Sequence, residues 1–322
     1  MSRTVLYLVV PCFNEEQILE QTATALRDKM YELINENVID ENSKIVFVDD
    51  GSIDRTKEIM DVLHKENTIY SIISFSRNYG HQNAVMAGYK FSKDKCDAVI
   101  SIDADLQQDI NAIDEFLRMF DQGYDIVYGV RNDRNTDGFL KRTTSQLFYS
   151  IMESFGCDTI RNHADYRLLS NKVLKVLDEF NETNLFLRGL IPTLGFKSCI
   201  VYFDVKDRML GESKYSMKKM INLAVDGITS YSIRPMHIIF AIGWVVFLGA
   251  IINMIYTIIA YFRGQVVSGW STIVVSIWGL GGIQLISIGC IGLYIGKNYL
   301  ESKRRPRYII ESIVHEETHN DM

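Results

Sequence analysis

The sequence predicts a mainly parallel α/β domain followed by a two-helix transmembrane hairpin. Short apolar runs alternate with helical patterns through the first two-thirds of the 322 residues, which is the signature of strand–helix–strand units. Polar clusters follow several of those runs at once, where ligands of parallel sheets bind. Near the C-terminus two long stretches carry no Asp, Glu, Lys or Arg.

The predicted strands are residues 5–10, 45–48, 70–75, 98–102 and 125–128, each short, apolar and rich in β-branched or aromatic residues. Helical patterns occupy Glu15 to Asn35, Arg55 to Lys65, Gln82 to Lys93 and Ile110 to Gln122. The first run follows Arg3 but meets Pro11 and a polar stretch almost at once. It therefore reads as a buried strand and not as a signal peptide. A helix from about Lys141 to Phe155 carries an apolar face of Leu147, Phe148, Ile151, Met152 and Phe155, which suits either a membrane surface or an ordinary core. Ser216 to Ser232 reads as a second amphipathic helix leading to the membrane.

No charge interrupts Pro235 to Phe262 or Gly264 to Gly296, and each run exceeds the roughly 20 residues that cross a bilayer. Arg263 sits between them. Lys218, Lys219 and Arg234 precede the pair, and Lys297, Lys303, Arg304, Arg305 and Arg307 follow it. By the positive-inside rule both termini and the α/β domain face the cytoplasm of a cell membrane. Basic residues 303–307 also suit anionic lipid headgroups. The expected division is an α/β domain over 1–215, a juxtamembrane helix over 216–234, spans over 235–262 and 268–296, and a tail over 297–322. The residues after Arg307 are polar and acidic and read as a loose tail.

With 34 basic and 40 acidic residues the chain lacks the basic excess of a general nucleic-acid binder. Its five cysteines lie far apart, without a CxxC pair or a His at ligand spacing. A disulfide framework and a zinc site are thus disfavoured, and a reducing cytosolic setting fits.

Three polar clusters carry the candidate chemistry. Asp103-Ala104-Asp105 leaves the apolar run AVISI, so its two carboxylates can turn toward one ligand. Hard oxygens of this kind suit Mg²⁺ or Mn²⁺ shared with a diphosphate, although acidic loops are more often merely solvated. Asp49-Asp50-Gly51-Ser52 ends the second strand. A turn and a helix cap account for Gly51 and for Ser52 or Asp54, which leaves one aspartate over. Pro11 to Glu16 follows the first strand, and there Asn14 or Glu15 can equally begin a helix.

The order PCFNEE (11–16), DDGSxDxT (49–56), SRNYG (76–80) and DADLQ (103–107) resembles the nucleotide-binding half of family-2 glycosyltransferases of GT-A fold. GVRNDR (129–134), ADYRLLS (164–170), FLRGL (186–190), GF (195–196) and RMLGESKY (208–215), followed by the two spans, extend the likeness over nearly the whole chain. The pattern is similar to bactoprenol glucosyltransferases and, more distantly, to dolichol-phosphate mannose synthases. The resemblance implies nucleotide-sugar contacts from Pro11, Phe13, Glu15, Val48, Asp50, Asp103 and Ala104, and a Mg²⁺ or Mn²⁺ held by Asp103, Asp105 and Gln107. It implies a lipid phosphate held by Arg131, Arg208 and Lys214, and catalytic roles for Asp105 and Asp165. This chain departs from the family pattern at Phe13 (usually Tyr), His81 (usually Lys), Tyr166 (usually Phe) and Gln108-Asp109-Ile110 (where prolines are usual).

The resemblance implies an inverting transfer of a hexose from a nucleotide-sugar to a polyprenyl phosphate such as undecaprenyl phosphate. UDP-glucose is the first expectation, with UDP-GlcNAc and GDP-mannose as the other donors. A polysaccharide synthase would carry a QxxRW motif and more spans, neither of which is present. A non-catalytic nucleotide-sugar sensor would need the nucleotide pocket but not the DAD pair, Asp165 and the basic set together. A homo-oligomer is left open, as is the envelope polymer that receives the sugar.

Overall fold

The computed structural model describes residues 3–132, 163–180, 182, 185–204, 234–263 and 269–316. The chain divides into an α/β unit (Met1–Tyr149, Asp158–Ser216 and Pro306–Met322) and a helical unit (Ser150–Cys157 and Met217–Arg305).

The α/β unit runs β1 (Leu6–Cys12), α1 (Leu19–Asn35), β2 (Lys44–Asp49), α2 (Thr56–Glu66), β3 (Tyr70–Phe75), α3 (His81–Ser92), β4 (Ala98–Ser101), α4 (Ala112–Asp121) and β5 (Ile126–Arg131). It continues through β6 (His163–Ser170), α5 (Asn171–Glu179), α6 (Leu187–Thr193) and β7 (Ser198–Phe203), and β8 (Ile310–Val314) returns to it from the far end of the chain. The five strands and four helices expected over residues 5–128 all form, with ends displaced by a few residues.

One sheet holds all eight strands in the order β7-β5-β6-β4-β1-β2-β3-β8. Pairing is parallel among β4, β1, β2 and β3 and between β5 and β7, while β6 and β8 run antiparallel to their neighbours. Every residue of β1, β2, β3 and β4 is buried, because helices cover both faces; such strands read as continuous apolar runs without alternation. Helix α1 buries Leu19, Ala23, Leu26, Met30 and Leu33 at three- and four-residue spacing, one stripe against the core. Each such leucine contributes roughly 1.5–3 kcal/mol by leaving water. Helix α3 packs tightly on β1 at Gly88. A Cβ on Gly88 would meet Val9 Cγ2 at 2.9 Å, so only glycine permits this approach.

The strand order reverses direction of growth at β1, with β2 on one side and β4 on the other. That reversal opens a crevice beyond the strands' carboxyl ends. Register carries the sequence motifs to it: Cys12 pairs with Asp49, and Ser101 pairs with Val9. Because β6 is antiparallel to β4, pairing Ser101 with Arg167, its leading half brings Asp165 to the same edge.

Two expectations change. The tail is not loose where it follows Tyr308, since β8 pairs with β3 (Ile73 opposite Ile313, Ser74 opposite Ser312). Its acidic neighbours hide a short β-branched run, Ile309, Ile310, Ile313 and Val314, that closes the open edge of β3. Strand β6 was not expected either. In sequence it follows a 30-residue stretch, 133–162, that lies outside the described residues, as do the expected helices over 141–155 and 216–232.

The helical unit contains α7 (Arg234–Phe262) and α8 (Trp270–Ser302), at the positions of the two uncharged runs. Within α8, Gly279–Ser302 is long and apolar enough to cross a membrane; the described apolar stretch of α7, Pro235–Val246, is shorter.

Candidate active site

The first loop of the crevice is cross-linked to the second. Asn14 takes a left-handed φ of 55°, which asparagine tolerates, and its N–H donates to Ser52 Oγ at 3.0 Å. Its own Oδ1 accepts from Ile53 N at 2.9 Å. Glu15 N donates to Thr56 Oγ1 at 2.9 Å, and Glu16 Oε2 accepts from Arg55 N at 3.1 Å. Asp54, two residues before α2, accepts from Thr56 N at 3.0 Å, so the helix start is satisfied by Asp54. Glu15 opens the turn that leads to α1, accepting from Ile18 N through its carbonyl.

The paired aspartates divide their labour. Asp49 Oδ1 accepts from Ser52 N at 3.0 Å and shapes the turn. Asp50, 3% exposed, accepts from Tyr79 N at 2.6 Å and Gly80 N at 2.9 Å. Burial raises the Asp50 pKa, an effect those two N–H groups oppose. After them Gly51 adopts φ +66°; a Cβ there would stand 2.6 Å from Arg77 Cα, so the DDGS turn and the SRNYG loop are in backbone contact. Pro11 and Val48 are buried in strands β1 and β2 beneath this junction, and Phe13 is half-buried at its rim.

The DAD loop turns sharply. Leu106 has φ 54°, an uncommon conformation for a leucine and one that persists where the surroundings impose it. Asp105 Oδ1 accepts from Gln107 N at 3.1 Å. Gln108, 2% exposed, holds Asp103 through both ends of its amide: Nε2 donates to Asp103 Oδ2 at 2.7 Å, and Oε1 accepts from Asp103 N at 3.1 Å. The hydroxyl of buried Tyr166 donates to the carbonyl of Asp109 at 3.1 Å. The backbone carbonyl of Ala104 accepts from Thr22 Oγ1 on α1 at 2.6 Å. Two of the departures from the family pattern, Tyr166 and the 108–110 segment, thus brace one loop.

Asp165 stands beside it in a cationic cradle. Arg188 Nε lies 3.2 Å from Oδ1 and Nη2 lies 2.9 Å from Oδ2. Arg167, fully buried in β6, also donates to Oδ1. His81 Nε2 lies 3.6 Å from Asp165 Oδ2 and 3.7 Å from Asp103 Oδ1, bridging the two carboxylates. Burial alone would raise the Asp165 pKa; the charges of Arg188 and Arg167, with His81, hold it well below the usual carboxylate range. Burial raises Asp103, and the nearby Asp165 and Asp105 charges raise it further, against His81 and Arg188. Burial would lower His81, but Asp165 and Asp103 outweigh it and its pKa is raised.

Asp103, Asp105 and Asp165 therefore crowd negative charge that a divalent cation would relieve. Among the described residues no three His, Cys, Asp or Glu side chains form a ready cage. A Mg²⁺ or Mn²⁺ bound through one or two carboxylates and substrate phosphates needs none, so the DAD residues fit such an ion. Arg131, at the carboxyl end of β5, lies on the same sheet edge two strands from β4. Arg208 and Lys214 lie outside the described residues. Sequence reading assigned no role to His81, Arg167, Gln108 or Arg188. Both arginines had a motif signal, Arg188 in FLRGL and Arg167 in ADYRLLS, but a buried arginine looks like any solvated one in sequence.

Residues 7–186 match the family described as Glycosyl transferase family 2. The glycosyltransferase YkoT of Bacillus subtilis is 45% identical, covering 96% of this chain and 92% of its own. A prophage bactoprenol glucosyl transferase homolog of Escherichia coli is 38% identical over 95% of this chain and 98% of its own. The bactoprenol glucosyl transferase of Shigella phage SfV is 38% identical over 95% and 97%. A solved mannosyltransferase from Pyrobaculum calidifontis, in complex with GDP-Man and Mn²⁺, is 12% identical with a TM-score of 0.49, covering 94% of this chain and 88% of its own.

Proposed function

The chain belongs to glycosyl transferase family 2, and from that membership we propose that it transfers a hexose from a nucleotide-sugar to polyprenyl phosphate, with UDP-glucose to undecaprenyl phosphate as the specific reaction. The α/β unit has the GT-A fold, and the enzyme is a glycosyltransferase. One observation carries the lipid acceptor. Relatives named as bactoprenol glucosyl transferases align over 94–95% of this chain, through the helical unit as well as the α/β unit.

In this reading the donor's nucleotide lies across the Pro11–Glu15 loop, Val48 and Asp50, and its diphosphate lies over Asp103, Ala104 and Asp105. Asp105, with Asp103 and Gln107, would hold Mg²⁺ or Mn²⁺, which supplies charge neutralisation for the departing diphosphate. The acceptor phosphate oxygen attacks the anomeric carbon. The bond from that carbon to the diphosphate oxygen breaks on the opposite face, its electron pair leaving with the nucleoside diphosphate, so the configuration inverts. A phosphate monoester has its second pKa near 6 and is largely ionised at neutral pH, so no strong base is needed. The depressed pKa of Asp165 supports the same view: a carboxylate gripped by two arginines is a poor proton acceptor. Asp165 instead fixes Arg188 and His81, and Arg131, Arg208 and Lys214 receive the acceptor phosphate.

Helix α8, and α7 with it, would anchor the enzyme as a two-span hairpin with the α/β unit in the cytoplasm. Leu285, Ile286 and Ile288 expose 72%, 69% and 64% of their surface, an apolar face suited to lipid tails.

The test is transfer of radiolabelled sugar from UDP-glucose, UDP-GlcNAc and GDP-mannose to undecaprenyl phosphate in detergent, with and without EDTA. EDTA-sensitive labelling from UDP-glucose alone is expected. Labelling from another donor would replace the sugar, and folded protein inactive with all three would remove the lipid-phosphate reaction.

A further inference from the structure

We propose that Tyr308, on the segment that enters β8, is a positioning residue for the nucleotide site: through the rings of Phe75 and Tyr79 it holds the 76–80 loop whose N–H groups grip Asp50. The inference rests on the reading of Asp50 as a nucleotide contact. It adds a residue 258 positions away in sequence (308 less 50).

The contacts form one path. Tyr308 stacks on Phe75 with ring centroids 4.9 Å apart and planes 14° from parallel. Phe75, 2% exposed at the end of β3, meets Tyr79 edge-on at 5.7 Å. Tyr79 and Gly80 donate their backbone N–H groups to the Asp50 carboxylate. Arg77 lies over the Tyr79 ring, 4.2 Å from its centroid, and its backbone abuts Gly51. The path is also anchored at its start. Ser76 N donates to the Ile309 carbonyl at 3.1 Å, and Arg307 bonds the Phe180 carbonyl.

The geometry is more particular than edge protection requires. The pairing shifts register between Ser74 and Phe75, so Phe75 lies opposite Ile310 and not opposite the residue regular pairing would supply. Beyond that bulge the approaching chain lays a flat ring on Phe75, where any apolar side chain would have covered the edge. Two other contacts of this segment, Lys57 Nζ to Glu311 at 2.6 Å and Ser71 Oγ to His315 Nδ1 at 2.8 Å, bear on α2 and the start of β3, away from the 76–80 loop. They offer an internal control.

The experiment uses the full chain in detergent and compares Tyr308→Ala, Tyr308→Leu, Tyr308→Phe and Glu311→Gln. Two quantities are read: amide hydrogen exchange across residues 76–81 without ligand, and donor KM and kcat for sugar transfer. Tyr308→Ala and Tyr308→Leu are expected to speed exchange at Tyr79 and Gly80 and to raise donor KM about three- to tenfold, the scale of one lost aromatic pair. Their kcat should stay within about twofold, while Tyr308→Phe and Glu311→Gln match the wild type in both readouts. Unchanged exchange at Tyr79 and Gly80 in a folded Tyr308→Leu protein overturns the proposal, as does an equal KM rise in Glu311→Gln. Wild-type protein without donor-dependent turnover would defeat the nucleotide reading, yet exchange still reads the positioning on its own.

Discussion

Arg188 meets Asp165 with two nitrogens at once, Nε 3.2 Å from Oδ1 and Nη2 2.9 Å from Oδ2. Asp165 is 15% exposed and Arg167, its second partner, not at all. Removing the carboxylate charge strands a buried guanidinium. Asp165→Asn is therefore expected to cost about 3 kcal/mol of stability at pH 7 as well as activity. The native pKa of Asp165 is depressed, so its stabilisation is present above the unfolded value near 4 and is lost as pH falls through the native one. Denaturant unfolding at several pH values should show the gap between wild type and variant closing toward acid. A gap that widened there would contradict the ion-pair assignment.

Arg188→Lys separates positioning from charge. Lysine keeps the cation but cannot offer two coplanar donors. With the carboxylate still partnered by Arg167, stability should fall by less than about 1 kcal/mol, whereas kcat/KM should drop on the order of tenfold. Full activity in the lysine variant would show that the fork geometry is irrelevant.

Gln108 is the side chain that ties Asp103 in place, through both its amide nitrogen and its oxygen. Gln108→Leu keeps the volume and deletes both bonds, leaving a backbone N–H and a carboxylate oxygen without that partner. About 2 kcal/mol of stability should be lost. The concentration of Mn²⁺ giving half-maximal transfer should rise several-fold, because Asp103 is then free to rotate away. A metal requirement identical to the wild type's would remove Asp103 from the metal site.

Gly51→Ala tests the contact between the DDGS turn and the SRNYG loop. The new Cβ meets Arg77 backbone atoms, which cannot swing away as a side chain would, at a φ of +66°. Thermal unfolding should show a loss of at least about 2 kcal/mol, and donor KM should rise together with it. Wild-type stability would mean that the loop is free to retreat.

Much of this architecture was legible because buried parallel strands leave uninterrupted apolar runs, and β1 to β5 are of that kind. The motif order then placed Asp50, Asp103 and Asp165 at one site through family likeness. Partners were not legible. Nothing in the sequence shows that Asp50 is held by Tyr79 and Gly80, or that Gln108 and not Gln107 faces Asp103, since both depend on where loops fold back. Strand β8 was hidden for a related reason. Five residues with Glu311 and Ser312 at their centre look like tail until the open edge of β3 supplies their hydrogen-bond partners.

The membrane hairpin yields the last prediction. Gly279–Ser302 alone is long and apolar enough to cross a bilayer among the described residues, whereas the proposed hairpin of α7 and α8 would make two crossings. The two topologies differ in where the link between the helices lies. A single crossing by α8 would put residues 265 and 302 on opposite sides and so part β8 from β3, with which it pairs. With two, the link is exported while Arg234 and Lys303 both stay with the cytoplasmic positive charge. A cysteine at Gln265 in intact cells should react with a membrane-impermeant maleimide, and one at Ser302 or Ser232 should not. Labelling at Ser302, or none at Gln265, would overturn the two-span hairpin. Ile286→Arg, on the exposed apolar face of α8, should cost about 2.5–3.5 kcal/mol of insertion and shift protein out of the carbonate-resistant membrane pellet. Wild-type protein released by carbonate would exclude a spanning helix altogether.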